Sequence, residues 1–132
     1  FMTEHADYIA ISFDYSYYQI SALGSNKLQR MCNGRIKFIE DLVREGIWNP
    51  NKPHHLLGCS LPQEFMAYGD FDWIKSCDTS NPILVGAEGV RYDDNGIDWK
   101  PKEKLEYYFE KDLSGKIEDI TFNVQKFKQY VK

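Results

Sequence analysis

Hydrophobic and polar positions along the chain change period several times, and each change marks an element. Residues 7–13, Asp-Tyr-Ile-Ala-Ile-Ser-Phe, are short, β-branched and aromatic, which predicts a strand. A polar, tyrosine-rich stretch over 14–26 reads as a loop. From 27 to 47 the period becomes helical. Ile36, Ile39, Val43 and Ile47 recur on one face, with Lys37, Glu40, Asp41 and Arg44 on the other, and Gly46 and Pro50 mark the end. Residues 54–60, His-His-Leu-Leu-Gly-Cys-Ser, predict a second strand. Residues 61–69 follow as a short helix, with Ser60 as N-cap and Pro62 in its first turn.

Residues 71–78, Phe-Asp-Trp-Ile-Lys-Ser-Cys-Asp, predict a third strand. Residues 79–96 read as a glycine-punctuated excursion whose Ile-Leu-Val-Gly-Ala-Glu-Gly-Val-Arg-Tyr core can pair as a hairpin. Residues 99–115 are charged and aromatic, and Pro101 confines any helix there to the residues after it. The last stretch, 116–132, predicts an amphipathic helix with Ile120, Val124, Phe127 and Val131 along its apolar stripe. Strand and helix alternate, a rhythm that means parallel strands joined by helical crossovers.

Composition narrows the class. With 132 residues the chain has about one domain's worth of sequence, and 42% hydrophobic against 27% charged residues argues against disorder. The net charge of −4 gives no global basic footprint for nucleic acid, although a local basic groove is compatible with it. Arg35, Lys37 and Arg44 are candidates for phosphate contact, with a solvated helix face as the alternative. Three widely spaced cysteines, Cys32, Cys59 and Cys77, lack CxxC spacing. They predict reduced thiols in a cytoplasmic protein, no zinc site and no other metal. No apolar run approaches a membrane span and no signal peptide is visible. Phe1 precedes Met2, which predicts a piece of a longer chain or a tag remnant.

In folds of parallel strands the carboxyl ends of the strands carry the chemistry. Gly58 there allows a ligand close to the backbone, and Cys59 and Ser60 stand where a strand meets a helix start. A tight turn with an ordinary cap is the alternative reading. On alternation, Ile74, Ser76 and Asp78 point one way and Lys75 and Cys77 the other, which puts Asp78 at the mouth. Its alternative is an N-cap or Asx-turn before Thr79-Ser80-Asn81-Pro82. His54 and His55 have no sequence-adjacent metal partner and read as hydrogen-bonded histidines at a strand start.

These residues together resemble the tRNA-guanine transglycosylase family, over roughly residues 7–90. In that family a strand reading roughly Y-L-M-G-V-G leads into T-P-E-D-L and a helix. A following strand then delivers a nucleophilic aspartate in a D-x-x-x-P setting. His55-Leu56-Leu57-Gly58-Cys59-Ser60, Leu61-Pro62-Gln63-Glu64-Phe65 and Asp78-Thr79-Ser80-Asn81-Pro82 are similar to those three pieces in order. An ungapped alignment would place Lys75 at the nucleophile position; the D-x-x-x-P pattern selects Asp78.

The resemblance implies an α/β fold, specifically the carboxyl-terminal portion of a (β/α)8 barrel, with a small open parallel sheet as the alternative architecture. Residues 1–132 would form a single partial barrel domain of a larger chain, since a complete barrel needs about 250 residues. It implies exchange of guanine for a 7-deazaguanine base in tRNA or in DNA, phage-encoded relatives included. Asp78 would be the nucleophile, and Ser12, Asp14, Gly58, Cys59 and Ser60 would line the substrate site. No cofactor is implied. Ser12, Phe13 and Asp14 replace the family's paired glycines, and Asp14 is the local candidate for an acid near the base, a loop residue being its alternative. Tyr15, Tyr17 and Tyr18 are candidates for base stacking or for packing. The expected partners are nucleic acid with a guanine or deazaguanine base, no membrane, and either a second copy or a complementary barrel half. A catalytically silent binding or assembly module is the alternative function, and an unrelated barrel hydrolase using Asp78 or Glu64 is a third.

Overall fold

The computed structural model describes residues 2–13 and 23–131. Its elements in chain order are α1 (Met2–His5), β1 (Ile9–Ile11), α2 (Lys27–Arg44), β2 (His54–Leu56), α3 (Pro62–Ala67), β3 (Ile74–Cys77), α4 (Asn81–Ala87), α5 (Glu106–Phe109) and α6 (Ile117–Tyr130). A single 3-10 turn, Ser114–Lys116, leads into α6. The three strands form one open parallel sheet in the order β1-β2-β3. Consecutive parallel neighbours joined by right-handed crossovers place their helices on one side of the sheet.

The core lies on that side. Ile11 and Leu56 from the strands meet Ile39 of α2, Phe65 of α3, Val85 of α4 and Phe127 of α6, all buried. Trp73 and Tyr68 extend this cluster towards the amino ends of the strands, and Tyr92 belongs to it as well. The opposite face carries Ala10, His55 and Ser76, which are exposed or half-buried. The sheet therefore has one apolar, packed face and one polar, open face.

Several sequence expectations change in detail. The helix predicted over 27–47 ends at Arg44, with Asn26 as its N-cap accepting the Gln29 N–H. Its buried side is Met31, Cys32, Arg35 and Ile39, while Val43 and Ile47 are exposed. Arg35, expected on a solvated face, is fully buried. The third strand is shorter than 71–78, because Phe71 and Trp73 turn into the core before it begins.

The hairpin expected within 79–96 is instead α4. Asn81-Pro82 begins a helix with proline in its first turn, and Leu84 and Val85 are buried as helix residues. Gly86 allows α4 to lie against α6. A methyl carbon on Gly86 would come within 2.5 Å of the Ile120 Cα, a contact only glycine accommodates. Asn123 of α6, fully buried, completes the join by accepting the Tyr92 N–H at 2.8 Å and donating to the Val90 carbonyl at 2.8 Å.

Among the described residues, three strands in order, with helices on one side, form an open sheet and not a closed barrel. No helix among the described residues is long and apolar enough to cross a membrane.

Candidate functional site

The parallel register brings three loops to one edge: Ser12-Phe13 after β1, Leu57 to Ser60 after β2, and Asp78 to Ser80 after β3. The β2 and β3 loops are tied by backbone bonds. Cys59 N–H donates to the Asp78 carbonyl at 2.9 Å, and Asp78 N–H donates to the Leu56 carbonyl at 3.4 Å. Gly58 makes the turn possible with φ of +65°, a left-handed conformation in which its N–H faces Asp78.

Asp78 is the centre of this edge. Its Oδ1 accepts the Gly58 N–H at 3.0 Å and meets His55 Nε2 at 3.1 Å. Its side chain is 61% exposed, so it is held by the protein yet open to a ligand. Partial burial works to raise its pKa, but the Gly58 N–H and the His55 contacts outweigh this and hold it below the ordinary carboxylate value. Asp78 is thus an ionised, positioned, accessible carboxylate.

The alternation predicted for β3 holds for Ser76 and Asp78 and fails for Ile74. A register irregularity opposite His54 and His55 pairs His54 with Ile74 and His55 with Ser76, leaving Lys75 as the extra residue. Ile74 and Cys77 therefore both pack towards the core. Lys75 lies beside Asp70, Asp72 and Tyr130 on a groove of about 550 Å³ that also holds residues of the α3 end and the segment before β3. It is not part of the Asp78 hydrogen-bond set.

The sequence marks His55 only as a strand histidine, and its link to Asp78 is the functional feature that carries no signal there. Its Nδ1 lies 2.7 Å from Ser76 Oγ, and Ser76 Oγ lies 2.9 Å from the Tyr8 hydroxyl. Tyr8, His55, Ser76 and Asp78 form one hydrogen-bonded row across the open face. His55 and Asp78 are 23 residues apart, and strand alternation alone could have placed His55 opposite the core.

Beneath this edge, on the packed side, sits a buried ion pair. Arg35 Nε donates to Glu64 Oε1 at 2.5 Å, and Arg35 Nη1 donates to the carbonyls of Ile11 at 3.2 Å and Leu57 at 2.7 Å. Tyr68 donates to the same Glu64 oxygen at 2.9 Å. Burial works against the Arg35 charge, but Glu64 beside it more than compensates and keeps it protonated. The pair clamps α2 and α3 to the ends of β1 and β2, so its role is to hold the edge in shape.

The other predicted residues divide. Cys59 is buried and faces the core, with its thiol on the Leu61 carbonyl and Glu64, and this corrects the expectation that its side chain lines the mouth. The neighbouring Cys77 thiol and burial raise the Cys59 pKa, while Cys59 in turn lowers that of Cys77. Ser60 is half-buried and does not cap α3; Leu61 occupies the N-cap position and makes no side-chain cap bond. The Ser60 carbonyl instead accepts the Asn81 amide at 2.7 Å. Ser12 is half-buried at the end of β1. Asp14, Tyr15, Tyr17 and Tyr18 lie outside the described residues. Among the described residues no group of three or more His, Cys, Asp or Glu side chains is arranged to hold a metal ion.

No family model, curated protein or solved structure matches this chain.

Proposed function

We propose that the chain is the carboxyl-terminal segment of a (β/α)8 barrel and that Asp78 is the nucleophile of a nucleobase exchange on tRNA or DNA. One observation carries this reading: an ionised, exposed carboxylate stands at the carboxyl edge of a parallel sheet, with one oxygen fixed by Gly58 and His55. The in-order strands with helices on one side support a barrel segment over a sheet whose strand order reverses.

The chemistry follows from the carboxylate. Asp78 attacks the anomeric carbon of the nucleotide as the bond to the guanine nitrogen breaks, and guanine departs with that electron pair and takes up a proton. The ester formed holds the sugar until a deazaguanine, losing its ring proton, attacks the same carbon and releases Asp78. A carboxylate suits both halves because it is nucleophilic when ionised and stabilises the oxocarbenium character of the sugar between them. The three free cysteines fit a reducing compartment, and we place the protein in the cytoplasm.

The test is incubation of the complete barrel protein to which this segment belongs with radiolabelled guanine and with tRNA or duplex DNA, followed by counting of the recovered nucleic acid. Asp78→Asn should lower incorporation at least about a thousandfold while the circular dichroism spectrum is unchanged. Lys75→Ala should leave incorporation intact. Absence of incorporation in the unaltered protein, with either nucleic acid and at any guanine concentration, would sink the proposal.

A second reading is an assembly module that contributes strands to a barrel without turning over. What favours it is that β1 and β3 each have one edge without a strand partner among the described residues. Sedimentation that shows only a monomer, together with guanine incorporation by that monomer, would exclude it.

A further inference from the structure

We propose that His55 is the positioning residue for the Asp78 carboxylate, and that the Ser76 and Tyr8 hydroxyls fix the imidazole tautomer that does so. The chemical use of that carboxylate rests on the base-exchange reading; the positioning itself does not.

The hydrogen positions follow from the acceptors. An ionised carboxylate can only accept, so the 3.1 Å contact requires the hydrogen on His55 Nε2. In a neutral imidazole Nδ1 is then an acceptor, and Ser76 Oγ, 2.7 Å away, must donate to it. With its proton committed, Ser76 Oγ accepts from the Tyr8 hydroxyl at 2.9 Å. The row therefore has one direction: Tyr8 to Ser76, Ser76 to His55, His55 to Asp78. It draws one residue from just before β1, one from β2, one from β3 and one from just after β3, so it spans the whole sheet.

Both donors to Asp78 address the same oxygen. Gly58 supplies a backbone N–H and His55 a ring N–H, and both fall on Oδ1. Two donors, one on β2 and one in the turn that follows it, restrict the rotation of a carboxylate that is otherwise exposed. Oδ2 accepts neither bond and is the oxygen presented for attack. Holding a nucleophile in a narrow set of orientations speeds a displacement without any contact to the substrate.

Isosteric variants separate positioning from packing. In His55→Gln the amide nitrogen falls where Nε2 was and still reaches Asp78. In His55→Asn it falls where Nδ1 was and reaches only Ser76. Carbon-13 titration of the Asp78 carboxyl reads the contact without substrate. We expect the midpoint to rise in both variants, because both remove the charge attraction of the ring, and to rise less in His55→Gln, which keeps the hydrogen bond, than in His55→Asn, which loses it. Ring nitrogen-15 shifts in Ser76→Ala should show a mixed His55 tautomer in place of a single one.

In the labelled-guanine assay, kcat should fall about tenfold or more in His55→Asn and remain within about threefold in His55→Gln, with KM unchanged in both. An unchanged Asp78 midpoint in His55→Asn would overturn the proposal, as would a loss of rate in His55→Gln equal to that in His55→Asn. If the unaltered protein incorporates no guanine, the base-exchange reading fails by itself, and the two titrations still decide the role of His55.

Discussion

His54 and His55 are neighbours in the chain and have opposite surroundings. His54 points into the packed face, fully buried, stacked on Trp48 with ring centroids 4.3 Å apart and edge-on to Trp73 at 4.9 Å. His55 points into the open face, where hydroxyls and a carboxylate take its nitrogens. One residue type serves as an aromatic filler on one side and as a polar link on the other. Strand pleating alone makes the difference, because it sends successive side chains to opposite faces. The packed face determines whether the sheet exists, and the open face determines what the sheet can do.

The largest effect should come from breaking the packed face at its buried ion pair. Glu64→Gln leaves the Arg35 guanidinium buried without its counter-ion and should cost about 3–5 kcal/mol in urea unfolding. Replacing both partners, Arg35→Met with Glu64→Leu, should recover most of that loss, because an apolar pair of similar volume carries no desolvation penalty. A double variant as unstable as the single one would show that the bonds from Arg35 to the Ile11 and Leu57 carbonyls matter more than the pair.

Gly86→Ala comes next. The added methyl meets the α6 backbone at Ile120, and one helix must move to accommodate it, at about 1–3 kcal/mol. Thermal unfolding should register this loss, while the Asp78 carboxyl signal at the far edge should not shift.

The histidine contrast itself can be read by pH. Burial pushes the His54 pKa below its ordinary value of 6.5, so the folded protein favours the neutral ring. The stability from this source is complete above pH 6.5 and is lost as pH falls towards the folded pKa, because the unfolded chain binds a proton that the folded one resists. His54→Phe keeps an aromatic ring between the tryptophans and removes that proton. Its stability should therefore fall less steeply than that of the unaltered protein as the solution is acidified below neutrality. Parallel curves would show that His54 contributes no acid sensitivity.

The smallest effect belongs to the open face. Tyr8→Phe removes the outermost hydroxyl of the row, on a side chain that is about half exposed, and should change stability by about 1 kcal/mol or less. A loss as large as that of Gly86→Ala would mean that the open face is covered and packed after all.

Much of this arrangement was legible in the sequence. The β-branched run at 9–11, the apolar step at 54–57 and the proline after Ser60 located two strands and a helix, because periodicity reports which face is buried. Asp78 was legible as the residue that ends a strand. What was not legible has particular causes. Arg35 belongs to the buried row of α2 with Met31, Cys32 and Ile39, but a cation in that row reads as polar unless its partner Glu64 is known to lie beside it. The Ile-Leu-Val run of α4 has strand-like composition, and packing against α6 overrides it. The irregularity at Lys75 puts Ile74 on the side opposite to the one simple alternation gives. The bond between His55 and Asp78 depends on which strands are neighbours, and alternation within a strand carries no information on that.

The Arg35–Glu64 pair also has a consequence for the order of events during synthesis. Arg35 leaves the ribosome 29 residues ahead of Glu64. Until α3 emerges, docking α2 on the sheet would bury a lone cation, so α2 must wait in solvent with its charge hydrated. The ends of β1 and β2 are clamped only when Glu64 arrives, and Gly58, between them in the chain, takes its final place with that step. Arrested nascent chains should therefore gain protease resistance across α2 all at once, when the exposed length passes Glu64 and not when α2 itself is complete.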